Sequence, residues 1–355
     1  MINNKKDENI KIDLNKRNFN FELIAKIELE KKDNIYIKKV IELPKDRLGI
    51  LYEIKYKNCL FSIYSSKTFV KIYNFDYYFI DAVKTEDNDL ILCNEYDLYY
   101  YKLINNEYEF IQIFECFEKQ KIKYQYYNYY CRSNYNYSIN FIYPLKNGDI
   151  MACSHSEITL YCKEFGKYIF AKCIDVKYHI EEIIEIKPNM IVLYLTESLG
   201  SGCRSTGFNT YIYLYNIQNR ENTILSKNES YDIPYYNMNI NHFLKINEYL
   251  FVKIFDSVNI YDIGQNMKLI NESDCEIINE DGYTSKKLKN ELPFEDPKIK
   301  FDNNFILAIN KDGKSFIYKY ENKLFKEYKE FPWDLNHAGI MKLKNDKLII
   351  YLKIK

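Results

Sequence analysis

The sequence predicts an all-β chain, a closed ring of seven four-stranded antiparallel sheets. Two observations predict it. One is a phrase that recurs seven times, in which an apolar strand ends, a polar turn follows and a second apolar strand begins. The junction reads RLGIL at Arg47–Leu51, NDLIL at Asn88–Leu92, GDIMA at Gly148–Ala152, NMIVL at Asn189–Leu193, YLFVK at Tyr249–Lys253, NFILA at Asn304–Ala308 and DKLII at Asp346–Ile350. A short repeat cannot bury its own apolar face, so repetition implies units stacked on one another. The other is composition: 37 Tyr and 22 Phe stand beside abundant Ile, with only 10 Gly and 7 Pro in 355 residues. That mix favours strands over helices.

Taken in order, the elements fall into units of four strands. Unit one has IKKVIEL (37–43), a PKD turn, RLGILYEI (47–54), CLFSIY (59–64) and TFVKIY (68–73). Unit two has FIDAVKT (79–85), DLILCN (89–94), DLYYYKL (97–103) and YEFIQIF (108–114). Unit three has INFIYPL (139–145), DIMACS (149–154), EITLYCK (157–163) and KYIFAKCI (167–174). Unit four has EEIIEI (181–186), MIVLYL (190–195), TYIYLYNI (210–217) and NTILSK (222–227). Unit five has INHFLKI (240–246), YLFVKIF (249–255), SVNIYDI (257–263) and MKLINE (267–272). Unit six has a weakly marked first strand near 297–302, then NFILAIN (304–310), KSFIYKY (314–320) and KLFKEYKEF (323–331).

The ends decide the closure. The C-terminal side supplies two strands, AGIMKLK (338–344) and KLIIYLKIK (347–355), and the N-terminal side two more, NIKIDL (9–14) and FNFELIAKIEL (19–29). Two plus two make a seventh unit, which removes the exposed edges an open array would leave. Trimming about ten residues from the C-terminus is then expected to be severely destabilising. The second-strand markers Leu48, Leu90, Ile150, Met190, Leu250, Ile306 and Leu348 are separated by 42, 60, 40, 60, 56 and 42 residues. The short gaps match the 40–45-residue period of four-stranded propeller blades. A tighter ruler runs from the marker to a third-strand tyrosine: 11 residues to Tyr101, Tyr161 and Tyr261, 12 to Tyr318, 16 to Tyr64 and 25 to Tyr215. The expected organisation is a single β-propeller domain over 1–355; six or eight blades, a sandwich or two small barrels are the alternatives.

Phrases such as LKNGDIMACSHSEITLY (145–161) resemble the blades of the WD40-like group of β-propellers. The chain departs from that pattern. The Gly-His pair is absent, the only Trp-Asp, Trp333–Asp334, lies between strands, and IY-type ends such as Ile260–Tyr261 and Ile317–Tyr318 stand where Trp-Asp belongs. The resemblance implies a protein-interaction scaffold.

Composition narrows the function classes. The formal net charge is zero with interleaved signs, which argues against a nucleic-acid binder, since tracking a phosphate backbone needs concentrated positive charge. No 18-residue uncharged apolar window occurs, so no membrane insertion is expected. The polar start lacks the apolar stretch of a signal peptide. Nine cysteines with no CxxC pair read as small buried residues of a reducing compartment, and the expected location is cytoplasmic. The histidines 155, 179, 242 and 337 are not spaced as a metal set, and no GxSxG, HExxH or Walker loop occurs. No cofactor, metal or catalytic residue is expected.

Function should sit in four insertions, near 118–138, 198–209, 228–239 and 273–298. The first is tyrosine-dense, KIKYQYYNYYCRSNYNYS; the second, SLGSGCRSTGFN, reads as a hairpin loop; the third is NESYDIPYYNMN. In the fourth, TSKKLKNEL (284–292) suggests a short helix capped by Thr284 or Ser285. Tyr126, Tyr127, Tyr129, Tyr130, Tyr235, Tyr236 and Phe294 are the candidate partner-facing residues, because aromatic rings give large contact area at low rotamer cost. The reading is a non-enzymatic scaffold or adaptor that binds one or more proteins within a larger complex. The alternative is an enzyme or small-ligand binder using the central channel.

Overall fold

The computed structural model describes residues 35–352 except 55–58, 115–137, 199–206, 220, 232–242, 247, 255–256, 270–274, 281–282, 289–293, 295, 302–304, 311, 322–323, 336–337 and 344–347. Every described element is a strand, and every pairing is antiparallel. Sheet one comprises β1 (Ile35–Leu43), β2 (Arg47–Ile54), β3 (Cys59–Ser65) and β4 (Lys71–Tyr78). Sheet two comprises β5 (Asp81–Lys84), β6 (Leu90–Cys93), β7 (Leu98–Ile104) and β8 (Glu107–Ile113). Sheet three comprises β9 (Phe141–Pro144), β10 (Ile150–Cys153), β11 (Glu157–Glu164) and β12 (Lys167–Asp175), and sheet four β13 (His179–Lys187), β14 (Met190–Ser198), β15 (Gly207–Asn216) and β16 (Asn222–Tyr231).

Sheet five comprises β17 (Phe243–Ile246), β18 (Tyr249–Ile254), β19 (Ser257–Asp262) and β20 (Lys268–Leu269). A hairpin of β21 (Cys275–Glu280) and β22 (Tyr283–Leu288) follows. Sheet six comprises β23 (Asp296–Lys300), β24 (Phe305–Ile309), β25 (Ser315–Glu321) and β26 (Leu324–Glu330). The last sheet has β27 (Ala338–Lys342) and β28 (Leu348–Leu352). Each four-stranded sheet is a meander in sequence order. The chain divides into two compact units, one holding β1–β16 and the other β17–β28.

Burial falls from the second strand outward, which explains the sequence pattern. LILC of β6, IMAC of β10 and FILAI of β24 are buried at every position, as expected for an interior strand covered on both faces. The outermost strand β8 is a mix of half-buried and exposed positions, with none buried. In the four-sheet unit, β1 lies beside β5 and β5 beside β9, so first strands are neighbours. Apolar clusters fill each seam: Leu43, Phe61, Phe79 and Leu92 between sheets one and two, Ile91, Tyr100, Ile150 and Tyr161 between two and three, and Met151, Ile158, Ile191 and Leu193 between three and four. In the other unit β17 lies beside β23 and β23 beside β27, with Phe301, Leu307, Leu335 and Leu348 buried together. Gly339 of β27 pairs with Tyr351 of β28, and the tyrosine ring lies where a Cβ at 339 would stand.

The tyrosine ruler has a direct physical meaning. Leu48–Tyr64, Leu90–Tyr101, Ile150–Tyr161, Leu250–Tyr261 and Ile306–Tyr318 are cross-strand partners of the second and third strands. In sheet four the register differs by one: Tyr215 faces Ile191, and Met190 faces Asn216. In sheets one, two, three and six the third–fourth pairing shifts register immediately before the ruler tyrosine, a bulge that adds local twist.

Some expectations are corrected. The fourth strand of sheet one starts at Lys71, not 68, because the chain turns tightly there: Phe69 takes φ 56° and donates its N–H to Ser65 O. The helix expected over 284–292 is not formed by its first half, since Tyr283–Leu288 is strand β22 paired with Cys275–Glu280. Asp281-Gly282, a strong hairpin dipeptide, stands between the closing residues Glu280 and Tyr283. The second and third insertions are narrower than expected, because Ser198, Gly207–Asn209 and 228–231 belong to strands. The N-terminal strands expected at 9–29 lie outside the described residues.

Candidate functional site

In a meander, the first–second and third–fourth turns share one rim. The second–third turns and the links between sheets share the other. In the four-sheet unit the second rim therefore carries the ends of two insertions: Phe114 and Ser138 flank 115–137, and Ser198 and Gly207 flank 199–206. This insertion rim is the candidate site.

At sheets one and two it is aromatic and open. Tyr77 and Tyr78, which end β4, are 61 % and 53 % exposed, and Tyr96 is 54 % exposed. The Asn94 carboxamide oxygen accepts the N–H groups of Tyr96 at 2.8 Å and Asp97 at 2.6 Å, so the second–third turn is a fixed Asx-type turn. Its amide nitrogen donates to Tyr99 Oη at 3.0 Å, and the Tyr99 ring stacks on Tyr77 at 6.1 Å with 19° between planes. The neighbouring Glu95 carboxylate, then burial, push the Tyr96 phenol up from its ordinary value.

At sheets three and four the same rim is polar and stacked. Tyr178 and Tyr211 lie ring on ring at 4.0 Å and 4°. Tyr211 donates to Glu197 Oε2 at 2.6 Å and Asn209 Nδ2 donates to the same oxygen at 3.0 Å. These two bonds, the tyrosine's first, hold the Glu197 carboxyl below its usual range despite partial burial. Lys177 Nζ stands 4.9 Å from the Tyr178 ring centroid. Next to this group His155, in the turn after β10, meets His179 of β13 with centroids 4.1 Å apart. His155 O accepts Ile180 N–H at 3.0 Å and faces His179 Nδ1 at 3.2 Å. Glu181 Oε1 is 3.6 Å from His179 Nε2 and takes a hydrogen bond from Thr196 Oγ1 at 2.9 Å. Burial, then the His179 charge, lower the His155 pKa from 6.5.

The opposite rim is spent on holding sheets together. Lys163 of β11 reaches across to Asp87 Oδ2 at 2.7 Å and Asp89 Oδ2 at 2.8 Å, under the Tyr100 and Tyr168 rings. Burial works to lower the Lys163 pKa, but the two aspartates outweigh it and the net shift is upward. Asp89 also accepts Tyr100 Oη–H at 2.7 Å and Leu103 N–H at 3.2 Å. Asp149 repeats the last contact one sheet on, accepting Lys163 N–H at 3.3 Å. Both pairs are 14 residues apart. Arg47 Nη1 donates to Asn106 O across sheets one and two. The outer strands of sheets two and three are joined by the Gln112 amide, which donates to Tyr168 O and accepts Tyr168 N–H, both at 2.9 Å.

Carboxylates on first strands are likewise committed to structure. Asp81 accepts Lys39 Nζ at 2.7 Å, Ala82 N–H at 2.8 Å and Ile142 N–H at 2.9 Å, bridging β5 to β1 and β9. Glu185 accepts Lys146 N–H at 2.8 Å, and its own N–H donates to Tyr143 Oη at 2.9 Å. Among the described residues no group of three His, Cys, Asp or Glu is placed to hold a metal ion. No described helix is long and apolar enough to cross a membrane.

Of the sequence-chosen residues, Tyr126, Tyr127, Tyr129, Tyr130, Tyr235 and Tyr236 lie outside the described residues. Phe294 is corrected: it is 2 % exposed, packed on Tyr318 at 5.1 Å and Phe325 at 5.0 Å, so it is a core ring and not a partner-facing one. Sequence reasoning missed Tyr77, Tyr78, Tyr96, Tyr178 and Tyr211. The available signal was strand parity, which assigns every strand end to a rim.

No family model and no curated protein matches the chain. Among solved structures it is similar to the Cps50 (Swd1) β-propeller domain of Myceliophteria thermophila, at 9 % identity and TM-score 0.48, covering 89 % of this chain and 96 % of that one. It is similar to the WD40 β-propeller domain of Doa1 at 9 % identity and TM-score 0.46, covering 90 % of each. It is similar to Saccharomyces cerevisiae Sqt1 at 10 % identity and TM-score 0.45, covering 82 % and 84 %. The strand order itself carries the assignment: in each unit the four-stranded sheets are antiparallel meanders with neighbouring first strands, a propeller-type all-β arrangement.

Proposed function

We propose that the chain is a non-enzymatic protein-interaction scaffold, a subunit or adaptor of a larger complex, which binds its partner through the insertion rim. The observation that carries this is the placement of exposed Tyr77, Tyr78 and Tyr96 on a rigid frame, on the same rim as the ends of 115–137 and 199–206. Rings held by stacking and by an Asx turn lose little freedom on binding, which favours them as contact residues. The tyrosine-dense segment containing Tyr126, Tyr127, Tyr129 and Tyr130 leaves from and returns to this rim, and is proposed to extend it. The zero net charge speaks for protein over nucleic acid. Buried, free Cys93 and Cys153 suit a reducing, cytoplasmic setting.

The reading includes a closed ring over 1–355, with strands from 9–29 completing the β27–β28 sheet, which among the described residues has two strands where six others have four. Affinity isolation of the tagged chain followed by native mass spectrometry tests the function. A stoichiometric protein partner is expected, with retention weakened by combined Tyr77→Ser, Tyr78→Ser and Tyr96→Ser. A partner-free monomer with catalytic turnover sinks the proposal. Closure is tested separately, by replacing Phe19, Phe21 and Leu23 with Ser: cooperative unfolding should shift as far down as it does on deletion of β28.

A further inference from the structure

The third–fourth hairpins of sheets two and three are a matched pair with one discordant residue. Both are two-residue turns with positive φ at each central position, the type I′ geometry. Sheet two fills them with Asn105 (φ 49°) and Asn106 (φ 75°), closed by Ile104 and Glu107. Sheet three fills them with Phe165 (φ 48°) and Gly166 (φ 78°), closed by Glu164 and Lys167. Asparagine tolerates the left-handed region, whereas a bulky side chain there is an outlier. The Phe165 ring gains nothing from the fold in return, since it is 103 % exposed.

We infer that Phe165 is a binding anchor, a single ring presented on the rim opposite the insertions to plug an apolar pocket of a partner protein. The inference rests on the scaffold reading and adds a second docking point to it. A ring on a two-residue turn is a protrusion, so its complement is a concavity. The tip is flanked by one acid and one base, Glu164 and Lys167, both exposed. That pairing is matched by a protein pocket bearing a base on one side and an acid on the other. It gives no net attraction to an anionic lipid surface or a phosphate backbone. Strain accepted where no internal contact compensates it is a mark of a functional position.

Three chains test this: wild type, Phe165→Asn and Phe165→Leu, with a photo-crosslinking phenylalanine analogue placed at 165 in a fourth. Phe165→Asn relieves the turn, so its melting temperature should equal or exceed wild type. It should nevertheless lose partner retention about tenfold, while Phe165→Leu keeps most of it. The crosslinker should give an adduct on a partner peptide rich in apolar residues. Undiminished retention by Phe165→Asn, or a lower melting temperature for it, overturns the anchor and leaves the scaffold reading standing. A crosslink only to a second copy of this chain, or only to neutral or anionic vesicles, also overturns it. If the wild-type chain retains no partner at all, both readings fall.

Discussion

The two rims of the four-sheet unit use the same residue types for opposite ends. On the turn rim, tyrosine and charge are consumed internally: Tyr100 donates to Asp89, Tyr168 covers Lys163, and Lys163 spans two sheets. On the insertion rim, Tyr77 stacks on Tyr99 and stays 61 % exposed, while the stacked pair Tyr178 and Tyr211 is buried. The difference is one of placement: the Lys163–Asp89 crosslink ties sheets two and three at the turn rim, whereas Tyr77, Tyr78 and Tyr96 at the insertion rim are more than half exposed. Phe165 is the exception on the turn rim, the one large ring there, among the described residues, that is fully exposed.

The comparison breaks most severely where a crosslink is buried. Asp81→Ala removes the acceptor for Ile142 N–H, Ala82 N–H and Lys39, and should cost about 3 kcal/mol in denaturant unfolding. Lys163→Met should cost about 2 kcal/mol, because the Asp89 carboxylate, whose side chain is 4 % exposed, then lacks its cation; solvent around Asp87 moderates the loss. Tyr211→Phe, on the other rim, should cost about 1 kcal/mol by removing the hydrogen bond to Glu197. Tyr96→Ser should change stability by less than about 0.5 kcal/mol while weakening the partner, which separates recognition from folding.

Titration sharpens the contrast further. His155 has a lowered folded pKa, so the unfolded chain binds its proton more readily. Its contribution is complete above the ordinary value of 6.5 and declines as pH falls below it. The facing groups are His179 and, beyond it, Glu181. His155→Asn should flatten the stability profile between neutral pH and pH 5, whereas Lys163→Met should leave its slope there unchanged. Asp87, lowered chiefly by the Lys163 hydrogen bond, contributes above its ordinary value of 3.8, and that contribution fades only at more acid pH.

Much of the fold was legible in the sequence because two rules act locally. Alternation with a buried second strand marks each sheet, and the marker-to-tyrosine ruler records hairpin register, so Leu90–Tyr101 and Ile150–Tyr161 could be paired without coordinates. What escaped depends on contacts distant in sequence or on backbone sign. Phe294 sits among charges beside Pro293, which suggests a surface peptide, yet Tyr318 and Phe325 of the next sheet enclose it. The left-handed turn at Phe69 displaced a strand start that propensity alone placed earlier. The candidate rim is hidden for a different reason: no single residue marks it, although parity alone sends the ends of 115–137 and 199–206 to one side.

The Gln112 carboxamide has a consequence for solubility. An outermost strand such as β12 offers a row of outward backbone groups on which another chain could zip. Gln112 fills the slot at Tyr168 with both a donor and an acceptor, copying what an added strand would supply. A foreign strand approaching β12 would have to evict a group that is already correctly placed and tethered. The side chain thus acts as a stopper near the start of that edge, and the Tyr168 amide should exchange with solvent far more slowly than its place on an outer strand suggests.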